Sequence, residues 1–85
     1  VANYKLLIKP SAAKELEALP LKIRRQIANR IQCLASEPHP FSCEKLSGQD
    51  KFRIRQGDYR ILYVINNDET SVVIVKIGHR REVYR

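Results

Sequence analysis

Cysteine is too scarce for a disulfide framework: Cys33 and Cys43 are the only two in 85 residues. No CxxC pair occurs, and only His39 and His79 are present to join them around a metal. The expectation is two reduced, inert thiols in a cytosolic protein, no metal site and no cofactor. Glycine is nearly as scarce, with three residues and no phosphate-cradling glycine loop. No stretch approaches the roughly 20 apolar residues of a membrane span. Nothing at the start reads as a signal peptide either, because Val1–Ile8 already reads as a strand. A cytoplasmic location without membrane contact is therefore expected. Paired catalytic carboxylates and a Ser-His-Asp pattern are also missing.

Acidic residues are the other shortage. Nine Asp and Glu face 16 Lys and Arg, a net charge of +7. Arginine outnumbers lysine, nine to seven, which favours planar, bidentate contacts to phosphate or carboxylate. Such a surface suits a polyanion: nucleic acid, an anionic membrane or an acidic protein. The length allows one domain over residues 1–85, with one compact core and no large ligand cavity.

Tyr4–Lys9 reads as a short strand stopped by Pro10. Ser11 stands where a helix N-cap belongs, and Ala12, Leu16 and Leu19 follow at amphipathic spacing. Pro20 ends that helix and falls in the first turn of the next, which is expected from about Leu21 to Ser36. There Leu21, Ile23, Ile27, Ala28, Ile31, Leu34 and Ala35 share one arc, opposite Lys22, Arg25, Gln26, Asn29 and Arg30. Two prolines make Glu37–Phe41 a loop, continuing through Ser47-Gly48.

The period then changes from helical to alternating. Lys51, Arg53 and Arg55 alternate with Phe52 and Ile54, giving a strand with one cationic and one apolar face. Gln56-Gly57-Asp58 forms a tight turn, and strands follow at Tyr59–Ile65 and Ser71–Ile77. Val72–Val75 is apolar on both faces, as in an interior strand. A tail, Gly78–Arg85, ends the chain. The predicted fold is α+β: two N-terminal helices packed on a small, mainly antiparallel four-stranded sheet, with the first strand added after the helices cross one face.

The cations point to chemistry on phosphate. Lys51, Arg53 and Arg55 stand about 6.8 Å apart on one strand face, close to the spacing of successive phosphates. The same pattern also suits an exposed edge strand kept soluble by charge. Arg60 shares its face with Leu62 and Val64 and needs an anion, either Asp58, Glu82 or a ligand phosphate. His79, Arg80, Arg81, Tyr84 and Arg85 crowd the tail, where Tyr84 either stacks on a base or anchors the end to the sheet. An enzyme built from Arg, Lys, His and Tyr suits RNA cleavage, in which the 2′-hydroxyl attacks its own phosphate without a metal.

Three blocks together resemble the RelE family of bacterial and archaeal toxins: Lys45-Leu46-Ser47-Gly48, Phe52–Tyr63 and Gly78–Arg85. The resemblance spans essentially the whole chain. It implies a RelE-like fold and the toxin of a type II toxin–antitoxin system, a ribosome-dependent endonuclease that cuts mRNA codons in the ribosomal A site and leaves a cyclic phosphate. It also implies a cognate antitoxin and a toxin–antitoxin hetero-oligomer. By position, Arg53 and Arg55 match basic residues on the RNA backbone, Arg60 and Arg80 match arginines at the scissile phosphate, and Tyr84 matches a stacking tyrosine proposed as proton acceptor. Lys51, Arg81 and Arg85 complete the expected RNA-binding set. Familiar members carry lysines where this chain has Arg53 and Arg55, and arginine does not release a proton near neutral pH. Tyr84, His79 and Lys51 therefore all stand as candidate proton carriers. Two rival functions remain: a ParE-like inhibitor of DNA gyrase, and a basic RNA-binding module without catalysis.

Overall fold

Apolar-rich strands build most of the sheet, with apolar and charged residues alternating over residues 51–56, and the helices cover one of its faces. The computed structural model describes residues 3–38, 43–46 and 51–81. In chain order the elements are β1 (Lys5–Ile8), α1 (Pro10–Glu17), α2 (Leu21–Cys33), β2 (Glu44–Lys45), β3 (Lys51–Gln56), β4 (Tyr59–Asn66) and β5 (Ser71–His79). They form one five-stranded sheet in the order β1-β5-β4-β3-β2. The antiparallel run β2 to β5 is joined by β1, which lies parallel to β5.

The sheet thus has five strands rather than the expected four and is mixed, and the two helices follow the expected first strand instead of opening the chain. The additional strand is Glu44-Lys45, inside the segment expected to be loop, where two residues carry no readable period. The last strand also runs on through Gly78 and His79, which were expected in the tail.

Both helices begin differently from the expectation. Pro10 occupies the first turn of α1 with Lys9 as N-cap, so Ser11 lies inside the helix and caps nothing. A proline has no N–H to lose there and its fixed φ suits that position. Pro20 is the N-cap of α2 rather than part of its first turn, and the helix ends at Cys33 instead of Ser36. The Ala35 carbonyl is taken by the Tyr4 N–H (2.7 Å), which ties the exit of α2 to the entry of β1. Of the expected apolar arc, Ile27 and Leu34 are buried and Ile23 and Ile31 pack beside them, whereas Leu21 is exposed.

The core lies between the helices and one sheet face: Ala12, Ile27 and Leu34 meet Phe52, Ile54, Ile61, Tyr63, Ile65, Val72, Ile74 and Ile77. Phe52 and Tyr63 stack at 5.8 Å between ring centres. The Tyr63 hydroxyl donates to the Pro38 carbonyl (2.9 Å), joining the segment after α2 to the sheet centre. Burial pushes this phenol far above its ordinary titration range; the neighbouring Cys43 thiol adds to the effect and Arg30 opposes it. Cys33 and Cys43 are both free thiols.

A β-bulge fixes what the far end of β5 presents. Leu62 pairs with Lys76 but Tyr63 pairs with Ile74, so Val75 is an extra residue. Ile74 and Ile77, three positions apart, both reach the core, and Lys76 and Gly78 turn to the opposite face. The Ile77 N–H donates to Glu15 Oε1 of α1 (3.2 Å), beyond the stretch of β5 that β1 covers.

Candidate functional site

The sheet face turned away from the helices collects the cations. On β3 the alternation is as expected: Phe52 and Ile54 are buried, while Lys51, Arg53 and Arg55 stand on the other side. Register extends this face across the sheet. Arg53 is opposite Leu62, which is opposite Lys76, and Arg55 is opposite Arg60, which is opposite Gly78. Leu62 is only 8% exposed although it points away from the helices. Arg53 and Lys76 flank it, and the aliphatic stems of such residues shield an apolar neighbour while their charges stay in water.

The β3–β4 hairpin brings the next two arginines together. Gln56 pairs with Tyr59, leaving Gly57 and Asp58 as a two-residue loop. Gly57 has φ +60°, the left-handed conformation that glycine adopts at the first position of a primed hairpin turn. Arg60 Nη1 donates to the carbonyls of Gly57 (3.2 Å) and Tyr59 (3.1 Å). These carbonyls, not the Asp58 carboxylate, are its partners among the described residues. The Arg80 N–H donates to the Asp58 carbonyl (2.9 Å), which continues the β5 ladder by one residue. Arg80 is the first residue after β5, two positions beyond Gly78, which is opposite Arg60. Its guanidinium is exposed and, among the described residues, without a partner.

His79 lies elsewhere. It is opposite Tyr59 on the helix side of the sheet, and the rings meet edge to face at 5.6 Å. The Arg81 N–H donates to His79 Nδ1 (3.2 Å), so the imidazole serves there as an acceptor. Arg81 follows it, exposed. Tyr84 and Arg85 lie outside the described residues, as do His39, Ser47 and Gly48.

Sequence reasoning missed Glu44. From the short edge strand β2 it reaches across its partner position, Arg53, and pairs with both Arg53 and Arg55; Oε1 lies 3.4 Å from Arg55 Nη2. Lys76 was missed as well, because only the bulge turns it to this face. No period reveals either residue. Among the described residues, no group of His, Cys, Asp and Glu is arranged to hold a metal ion, and no helix is long and apolar enough to cross a membrane.

The arrangement is suited to a phosphodiester strand. One row of guanidiniums follows β3, and at its hairpin end Arg55 is paired with Arg60 while the Arg80 backbone bonds the same turn. Fixed cations of this kind bind a backbone and stabilise added charge on phosphorus.

A family model described as the ParE toxin of type II toxin–antitoxin systems matches residues 6–84. Toxin RelG of Mycobacterium tuberculosis is 33% identical over 87 residues, covering 96% of this chain and 97% of that protein. In the archaeal RelE–RelB complex from Pyrococcus horikoshii, a chain 31% identical superposes with a TM-score of 0.84, covering 95% of this chain and 99% of its own length. In the RelBE2 toxin–antitoxin complex from M. tuberculosis, the matching chain is 29% identical with a TM-score of 0.82, covering 93% and 100%.

Proposed function

Because the chain belongs to the RelE family, within the RelE/ParE toxins of type II toxin–antitoxin systems, we propose that it is a ribosome-dependent mRNA endonuclease. What supports this reading is the pairing of Arg55 with Arg60 at the β3–β4 hairpin, on the face that also bears Lys51 and Arg53, with the Arg80 backbone bonded to the same turn. A toxin that only binds gyrase has no need of a phosphate cradle, and a passive RNA-binding module has no need of cations concentrated at one point.

In the proposed reaction the 2′-oxygen of an A-site nucleotide attacks its adjacent phosphorus. Its proton passes to a base, the bond from phosphorus to the 5′-oxygen breaks, and that oxygen takes up a proton. The products are a 2′,3′-cyclic phosphate and a 5′-hydroxyl. Arg60 and Arg80 stabilise the phosphorane, and Arg53, Arg55, Arg81 and Arg85 hold the backbone. The reaction balances without a metal. Lys51 sits four residues along β3 from Arg55, about 13 Å, so it serves the strand rather than the reacting phosphate. His79 faces the helix side. These placements favour Tyr84, four residues beyond Arg80, as the group that stacks on the RNA and accepts the proton. Arg60, Arg80 and the other cations lower the cost of the phenolate this requires.

The partners in this reading are mRNA and the ribosomal A site, in the cytoplasm, and an antitoxin. Matching chains occur in complexes with RelB, and an acidic antitoxin segment laid over this cationic face blocks RNA electrostatically. The test is cleavage of an mRNA on purified, programmed ribosomes. Cuts within the A-site codon that end in a cyclic phosphate, and that vanish when the attacking nucleotide is 2′-deoxy, are expected. Cutting that survives the 2′-deoxy substitution refutes the mechanism.

A further inference from the structure

Glu44 lies where the RNA backbone is expected to run. Its two carboxylate oxygens divide between two guanidiniums: Oε2 accepts from Arg53 Nη2, and Oε1 lies 3.4 Å from Arg55 Nη2. A phosphodiester offers the same feature, two oxygens on one atom sharing negative charge, and guanidinium forks recognise both groups alike. Glu44 left in place beside a bound phosphate puts like charges side by side. One of the two anions must leave.

The geometry indicates which one. The Glu44 side chain is 49% exposed and Arg55 57% exposed, whereas Arg53 is only 16% exposed. Glu44 stands on a two-residue strand at the sheet edge, held to the sheet by β3 alone. The exposed Arg55 pair resists disruption by only about 1.5-fold to fivefold, and it is the exposed Glu44 carboxylate, not the more buried Arg53, that can turn out into water. The largely buried Arg53 is nevertheless paired with Glu44 when no ligand is bound.

We propose that Glu44 is an internal substitute for an RNA phosphate, occupying the Arg53–Arg55 seat in the free protein and swung out when the strand binds. It keeps the two arginines compensated at rest and weakens binding to stray polyanions. The inference rests on the RNA-cleaving reading of the same face and adds to it a residue that sets affinity without touching the reacting atoms.

The test uses the full chain and a fluorescent 2′-O-methyl RNA of about 12 nucleotides, which the protein binds but has no 2′-hydroxyl to cleave. Anisotropy is followed from about 50 to 200 mM salt. Glu44→Gln is expected to bind about threefold to tenfold tighter at the lower salt, the two Glu44 pairs no longer having to open. Its salt slope stays close to that of the wild type, because the same two arginines meet phosphate in both complexes once Glu44 has swung out. Glu44→Ala gives the same change and excludes a new contact from the glutamine amide. Asp68→Asn, which makes the same charge change at the β4–β5 turn, leaves the affinity close to that of wild type. Melting curves confirm that each variant is folded. Glu44→Gln binding no tighter than that of Asp68→Asn overturns the inference. Wild-type binding that ignores both Arg53→Ala and Arg55→Ala instead overturns the RNA reading of the face.

Discussion

Arg80→Ala separates catalysis from folding more cleanly than any other change. The Arg80 guanidinium is exposed and has no partner among the described residues. The backbone N–H that bonds the Asp58 carbonyl survives in alanine. Unfolding free energy should therefore shift by no more than about 0.5 kcal/mol, or about 2–4 °C in Tm for a domain of this size. The chemical step loses a cation aimed at charge that develops only in the transition state. Removing one such group costs about 100- to 1,000-fold in rate, or about 3–4 kcal/mol. Arg60→Ala should match the loss of rate but also lower stability by about 1 kcal/mol, because its guanidinium caps two carbonyls of the hairpin. The assay is single-turnover cleavage of mRNA on programmed ribosomes, with a melting curve on the same samples. Folded Arg80→Ala protein that cuts within about threefold of wild type refutes the assignment.

Tyr63→Phe should cost about 1–3 kcal/mol, because the buried Pro38 carbonyl loses its donor; urea unfolding reads this directly. The phenol's folded-state pKa lies above its unfolded value of about 10, so its contribution to stability is complete below that pH and is lost as pH rises further. Ultraviolet titration should show a tyrosine signal that resists ionisation until alkali unfolds the chain, and Tyr63→Phe should remove that signal. Glu15→Ala should destabilise by about 1–2 kcal/mol by orphaning the Ile77 N–H, and Glu15→Gln, which keeps an acceptor oxygen, should largely restore it; equal losses in both argue for charge instead. Gly57→Ala should cost about 1 kcal/mol through φ alone, since nothing lies within 4 Å of the added carbon; a neutral result in thermal melts contradicts the turn assignment.

Strands β3, β4 and β5 were legible because each buries one face or both, and burial writes a period into the sequence. The cationic row Lys51, Arg53 and Arg55 was readable for the same reason. What the sequence hid lies where no period operates. Glu44-Lys45 is too short to alternate, and its place at the sheet edge comes from pairing with Arg53 and Phe52, residues about eight positions away. The bulge at Val75 resets which side the end of β5 faces, and this is what turns Lys76 toward the arginines and sets His79 beside Tyr59. The pairing of β1 with β5 closes over more than 60 residues, a distance local patterning does not span. Pro10 displaced Ser11 as the helix start because a proline's backbone already fits that position. The match of Tyr84 to a stacking tyrosine proposed as proton acceptor was read from resemblance, and the described residues end at Arg81.

The most direct measurement is primer extension on total mRNA from cells induced to make the protein, with chromosomal DNA integrity scored in the same culture. If the arginine-lined face acts on a phosphodiester held at the decoding site, cuts appear in phase with codons, only in translated messages, while DNA stays intact. Intact messages alongside broken DNA place the target at gyrase and contradict the account.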